Sequence, residues 1–575
     1  MDRNGENGPS VDPPALLSEG RSWRLAGLVV NGVGQAAAAV GAALLVEAAF
    51  NGLLEGGRAG SIGSLAPFGA ALVVAALVLG ALRARERSDA ERLGQSYVHS
   101  LRNTMYKRLS RLAPRALQTR SQGAIVLRFV GDLTAIGRWV SLGLSRAIVG
   151  GTFVLGVLGA LFFISIALAG AVAAVLLLGA AAAFVSGRTL RTRARKARRR
   201  RTRLASNVNE KVATLGVMQV FGQTQRERRH LNRQSKDLRR AMIAKAEIVG
   251  RLRGLAEATS LIASAAVLMV GAIEVGAGRA TPGTIVAAMA LVGLLANPLR
   301  DLGRVNEYWH NYRISMEKVH SFLRTRNLVR ELPGAPPLKP GPGRLEFRGV
   351  SVEGSLEGVD AVVEPGSVVA VVGPNGSGKS TLLTLAARLF DPDEGTVCLD
   401  GQDVSLHRTS SVRAALSMAA PDLPLLRGTV EENLRYRWPD APPDELARVV
   451  ADCSLERLLA ELPEGIETRV VEGGRNLSAG QRQRISLARA LVGDPKVLLL
   501  DEADANLDRE ARALIDRVIR TRGGKRTVLV VSHRPEVLVW ADQVWRLDDG
   551  RLEVDPSEPN GQDDAPVSPR RLPTT

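Results

Sequence analysis

The chain has 575 residues, 45% of them hydrophobic and 4% aromatic, with 76 Lys and Arg against 58 Asp and Glu. That is too long for one domain and too apolar for a disordered chain. The net charge of +18 would suit a nucleic-acid binder, but residues 1–340 hold 47 basic and 20 acidic residues, leaving 29 and 38 for 341–575. The whole basic excess therefore lies in the half that also carries long uncharged apolar runs. This is the pattern of membrane insertion with Lys and Arg kept on the cytoplasmic side, so the sequence points to a lipid bilayer and not to nucleic acid.

In chain order, residues 1–22 form an N-terminal segment with Asp2, Glu6, Asp12 and Glu19 and no cleavage-like stretch, which reads as cytoplasmic and not as a signal peptide. A helix needs about 20 apolar residues to cross a bilayer. Runs free of charge occupy the 22 residues between Arg24 and Glu47 and the 24 between Arg58 and Arg83. A run of 41 lies between Arg146 and Arg188, enough for two helices joined by a turn near Ala167 to Gly170. A fifth run of 16 residues follows Glu257, so its helix must extend past Glu274 towards Gly278, and a sixth lies between Arg279 and Arg300. Residues 23–330 are thus predicted to be a helical membrane domain of six spans. Ten positive charges fall within 188–203, whereas the linkers 51–63 and 275–283 carry one Arg each. The long basic linkers, 84–145 and 188–253, are therefore inside, and their apolar periodicity predicts long helical hairpins reaching into the cytoplasm. The Arg run itself reads first as a topology signal and second as a surface for anionic headgroups.

Residues 331–343 are rich in Pro and Gly and mark the domain boundary. Residues 344–554 form a predicted α/β domain, and the polar tail 555–575 is expected to be disordered. With only Cys398 and Cys453, both in the acidic half, this part of the chain offers no disulfide framework. Its strongest signal is Gly373-Pro374-Asn375-Gly376-Ser377-Gly378-Lys379-Ser380-Thr381, between an apolar strand pattern and a helix pattern. Glycines let backbone N–H groups converge on phosphates at a helix start, Lys379 adds a positive charge, and the Ser380 hydroxyl can ligate Mg²⁺. About 120 residues downstream, Val497-Leu-Leu-Leu500 ends in Asp501-Glu502. Asp501 suits a Mg²⁺ contact, often through water, and Glu502 could polarise the water attacking a γ-phosphate.

Between these lies Asn476-Leu477-Ser478-Ala479-Gly480-Gln481, leading into an amphipathic helix. Here the chain resembles the ABC transporter superfamily, whose signature Leu-Ser-Gly-Gly-Gln differs from Leu477 to Gln481 by one methyl group. The resemblance implies that Ser478, Gly480 and Gln481 serve a nucleotide held by a second subunit. It also implies that Ala505 to Asp508 is the D-loop, with Asp508 at the nucleotide interface, and that His533 is the switch histidine acting with Glu502 in catalysis. Thr468 to Gly474 resembles the segment by which exporters meet their membrane helices, and coupling helices are expected near Gln118–Gly123 and Gly216–Gln223. Six spans followed by one nucleotide domain resemble exporter half-transporters. The implied cofactors are ATP and Mg²⁺, the implied partner is a second half-transporter, either a copy or a paralogue, and the implied location is the cytoplasmic membrane.

Two family residues are absent. Gly354 stands where an aromatic ring usually stacks on adenine, and Pro421 stands where a Gln usually touches Mg²⁺; proline offers neither an amide nor a backbone N–H. These losses favour, as an alternative, a hydrolytically impaired half of a heterodimer. Stacking is worth roughly 0.5–1.5 kcal/mol, so the sequence alone predicts tighter ATP binding for Gly354→Tyr. For the substrate, Glu47 and Glu274 near the outer helix ends, with Asn31, Gln35 and Asn297, suggest a cationic or zwitterionic compound.

Overall fold

A computed structural model of the chain describes residues 12–55, 62–117, 122–325, 327–502, 526–532 and 534–555. The chain divides into two compact units, one of residues 9–110 and 120–325, the other built mainly of residues 326–575 together with 111–119.

In the first unit six helices are long and apolar enough to cross a membrane: Arg21–Leu54, Leu65–Leu109, Ile125–Ile164, Ile166–Val212, Thr224–Gly276 and Pro282–Leu323. The third and fourth part company at Ser165, whose extended backbone (φ −157°, ψ 121°) ends one helix while its hydroxyl caps the next by accepting from the Leu168 N–H. The break comes before the predicted Ala167–Gly170, because an N-cap Ser fixes the boundary more sharply than hydropathy does. The helix beginning at Thr224 runs 53 residues, ending at Gly276. At 1.5 Å per residue this is roughly 80 Å, far beyond a hydrocarbon core of about 30 Å.

Small side chains bring the spans together. Ala36, Ala39 and Ala43 share a core with Val157, Ala263, Val267, Ala287 and Ala288, and a Cβ on Gly156 would lie 2.5 Å from that of Ala36. Such close approach is how helices associate where lipid removes the hydrophobic drive between them. The polar residues singled out from the sequence are engaged in it. Gln35 donates to Asn31 (2.8 Å) and to Glu86 (2.7 Å), while the Asn31 amide reaches the Leu82 carbonyl (3.0 Å). Glu47 accepts from the Thr284 hydroxyl (2.6 Å), and Glu274 is paired with Arg279 at 2.7 Å. Asn297 accepts from Arg300 (3.2 Å). Glu47 and Glu274 thus fasten helix ends. Of the two expected coupling segments, residues 118–121 lie outside the described residues. The second contains a short helix, Leu215–Val220, with Val217, Val220 and Phe221 exposed.

The second unit is built on strands β1 (Leu345–Val352), β2 (Leu356–Val363), β3 (Val368–Val372), β4 (Glu394–Leu399), β5 (Gln402–Asp403), β6 (Leu416–Ala419), β7 (Gly428–Thr429), β8 (Arg469–Val470), β9 (Val497–Asp501), β10 (Thr527–Val531), β11 (Gln543–Asp548) and β12 (Arg551–Asp555). An antiparallel sheet has the order β2-β1-β4-β5, and a six-stranded sheet the order β12-β11-β3-β10-β9-β6. In the latter β11, β3, β10, β9 and β6 run parallel, with β12 antiparallel at the edge. Every residue of β9 and β10 is buried, as their unbroken apolar runs require of strands covered on both faces. Loops at the carboxyl ends of such strands are where an open α/β sheet binds ligands.

Candidate active site

The loop after β3 leads into the helix Lys379–Ala386. Two of its glycines are demanded by close backbone approach. A Cβ at Gly373 would stand 2.0 Å from the Leu547 carbonyl oxygen, and one at Gly378 (φ +106°) 2.5 Å from that of Ser355. Pro374, Asn375 and Gly376 are exposed, whereas Ser377 and Lys379 are buried. Lys379 Nζ donates to the Gly373 and Pro374 carbonyls at 2.7 and 2.8 Å, so the ammonium lies across the mouth of the loop. Burial pushes its pKa down, while the carboxylates of Glu502 and Asp501 push it up. Ser355, on the loop between β1 and β2, donates to the Thr381 hydroxyl at 2.7 Å and braces the helix start. The motif did not indicate this contact.

Asp501 closes β9 opposite this loop. It is 8% exposed, and burial raises its carboxyl above the usual range. A hydrogen bond from the Ser380 hydroxyl pulls it back, Glu502 and Asp422 raise it, and Lys379 lowers it. Among the described residues its Oδ1 and the Ser377 hydroxyl are buried without a hydrogen-bond partner. Buried polar atoms left so are costly, and here they face the place where phosphate and metal oxygen chemistry is expected. Ser380 and Asp501 supply the hard oxygen donors that Mg²⁺ prefers. Among the described residues no group of three or more His, Cys, Asp or Glu could hold a metal.

Glu502 adopts a left-handed backbone (φ +44°), a conformation that costs a non-glycine residue about 1–3 kcal/mol and persists where the surroundings impose it. They do: its N–H donates to Val531 O (3.1 Å), and the Gln483 amide donates to its carbonyl (3.2 Å). The signature segment lies at the start of the helix Ala479–Leu491. Ser478 accepts from the Gln481 N–H (3.2 Å), and the Gln481 side chain accepts from the Ser478 N–H (2.8 Å), a reciprocal capping box. Ser478 is exposed and Gly480 half-buried, which leaves the helix N-terminus facing outward. Asn476 holds the preceding loop through Val471 N–H and Arg469 O. Asp508 and His533 lie outside the described residues.

The structure adds a cost at Gly354. Its backbone is left-handed (φ +70°), with open space where a Cβ would go. A side chain would fit, but the left-handed conformation costs roughly 1–2 kcal/mol in the free and the nucleotide-bound protein alike, so the cost falls on folding stability and not on affinity. Gly354→Tyr is therefore expected to tighten ATP binding by about two- to tenfold while lowering stability, and a nucleotide titration paired with a thermal melt checks it. Unchanged affinity would show that the ring does not stack on the base.

Residues 26–299 match the family model described as ABC transporter transmembrane region, and residues 356–505 match that described as ABC transporter. An uncharacterized ABC transporter ATP-binding protein of Bacillus subtilis is 29% identical over 80% of this chain and 77% of its own length. The multidrug efflux ATP-binding/permease protein of Mycobacterium tuberculosis is 31% identical over 92% of this chain, which spans only 45% of that relative. An ATP-dependent lipid A-core flippase of Desulfotalea psychrophila is 27% identical over 80% of this chain and 82% of its own length. Among solved structures, a bacterial Atm1-family ABC exporter with ATP bound superposes with a TM-score of 0.80 at 25% identity, covering 92% of this chain and 94% of that one.

Proposed function

Because the chain belongs to the ABC transporter family, as an exporter-type half-transporter coupling ATP hydrolysis to transport, we propose that two such halves pair to move a substrate across the cytoplasmic membrane. Each phosphate loop is then completed by Ser478 and Gly480 of its partner. The observation that carries this reading is the exposed Ser478 at the capped start of the Ala479–Leu491 helix, since a helix N-terminus carries the positive end of the helix dipole and attracts anions.

In this reading Lys379 and the backbone of Gly373–Thr381 bind the β- and γ-phosphates. Ser380 and Asp501 would hold Mg²⁺, which when bound would supply positive charge against the phosphates. Glu502 orients and deprotonates the attacking water, with His533 at the γ-phosphate and Asp508 at the dimer seam. The exposed apolar turn at Val217, Val220 and Phe221 serves as a coupling surface that carries closure of the nucleotide domains to the spans. The nucleotide domain and both ends of the chain lie in the cytoplasm, on the side of the basic linkers.

The test is ATP-driven uptake into inside-out vesicles holding only this half-transporter. Compounds that partition into membranes are screened first, the class suggested by relatives named for multidrug efflux and lipid A-core flipping. ATP-dependent accumulation of one compound is the expected result. Pro421 favours a second reading, in which this chain is the slower half of a heterodimer; hydrolysis that rises several-fold only when a paralogous half-transporter is added would select it.

A further inference from the structure

The fifth and sixth membrane helices share a cavity of about 510 Å³ lined by Arg253, Gly254, Glu257 and Arg300. The uncharged run of the fifth helix begins just after Glu257, and that of the sixth ends just before Arg300. The cavity therefore sits where the apolar spans give way to the basic linkers, at headgroup depth. Charge decides what it can hold. Arg300 donates to Glu257 (2.5 Å) and to Asn297 (3.2 Å), so that acid is already neutralised. Arg253 is exposed and makes no ion pair or hydrogen bond among the described residues, which leaves one positive charge over. Leu261 and Leu268, four and eleven residues beyond Glu257, continue the same helix face into the membrane, and both are exposed. A cation beside an uncovered apolar stripe complements a molecule with an acidic head and an apolar body.

The approach to the cavity is charged the same way. Residues 188–253 hold 21 Lys and Arg against four Asp and Glu. Basic residues set topology within roughly 15–20 residues of a span. Arg226, Arg228, Arg229 and Arg233 lie at least 24 residues before Glu257 and are exposed, so membrane insertion does not account for them. A positive surface of this extent raises the local concentration of anions.

We propose that this cavity receives the headgroup of the transported substrate, and that the substrate is an anionic amphiphile, a phosphate or carboxylate on an apolar body. The acidic group pairs with Arg253 and competes with Glu257 for Arg300, while the body lies along Leu261 and Leu268. The inference rests on the export reading above and deepens it by naming the substrate class.

The experiment uses the full-length protein in phosphatidylcholine nanodiscs without nucleotide, so that binding is read apart from transport. Dodecyl phosphate is titrated calorimetrically against empty nanodiscs, with inorganic phosphate and dodecyltrimethylammonium as controls, and is expected to bind at least about tenfold more tightly than either. Losing a hydrogen bond to a charged group costs about tenfold or more in affinity, so Arg253→Gln is expected to weaken binding by at least about tenfold. Glu257→Gln frees Arg300 and is expected to tighten binding several-fold, a gain that damage to the fold would not produce. Nanodiscs containing phosphatidic acid identify the source of the ligand: competition there supports a bilayer lipid as substrate, and its absence supports a free amphiphile. Unchanged affinity in Arg253→Gln, weaker binding in Glu257→Gln, or a preference for the ammonium probe overturns the proposal. Intact dodecyl phosphate binding without any ATP-driven uptake overturns instead the export reading.

Discussion

Replacing Glu502 by Gln is expected to leave ATP binding intact and to lower steady-state hydrolysis by ~10²- to 10⁴-fold, the contribution of a positioned general base. Glu502 sits one residue beyond Asp501 at the tip of β9, in a left-handed conformation fixed by Val531 and Gln483. The amide is isosteric and keeps that backbone, so the phosphate loop and the Ser380–Asp501 pair are untouched; what is lost is the group that accepts the proton from the attacking water. Lys379→Ala serves as the contrast. Its ammonium lies in the mouth of the phosphate loop, so its removal weakens nucleotide binding itself. Paired measurements of nucleotide affinity and phosphate release separate the two. Full turnover by Glu502→Gln, in membranes free of any other half-transporter, would mean that another group is the base.

The six spans were readable because uncharged runs of this length have few alternative explanations in a folded chain. The parallel sheet was readable in part, because Val368–Val372 and Val497–Leu500 are unbroken apolar runs closed by glycine or acid. Other features depend on three-dimensional placement that a linear pattern does not carry. Ser165 ends a span by side-chain capping inside an uninterrupted 41-residue apolar run. Glu47 and Glu274 looked like candidate substrate groups because an acid near the membrane is costly. The partners that satisfy them are Thr284, which is remote in sequence, and Arg279 across a hairpin turn. At the nucleotide site the loop, Asp501 and Glu502 were legible because glycine spacing and an acid after a strand have a direct chemical meaning. The brace from Ser355 was not: it depends on the turn after β1 meeting Thr381 in space. Gly354 shows the same limit in reverse. Its identity in the sequence suggested a lost contact, and its positive φ shows a turn that the aromatic side chain would strain.

The central claim is that each ATP site is shared between two subunits, and the second large effect follows from it. Ser478→Arg places a bulky cation at the exposed start of the Ala479–Leu491 helix, where Ser478 now caps Gln481, and should abolish hydrolysis in a dimer of that variant alone. Lys379→Ala disables the phosphate loop on the other side of the same composite site. The direct measurement is ATP turnover by dimers reassembled from equal amounts of Lys379→Ala and Ser478→Arg chains, each first shown to fold and insert. A mixed dimer joins the intact phosphate loop of one chain to the intact signature of the other. The mixture is therefore expected to recover roughly a quarter of wild-type turnover, since random pairing makes half the dimers mixed, each with one of two sites, while either variant alone stays near background. A mixture that remains at background, or a dilute monomer with full wild-type activity, would contradict the shared site.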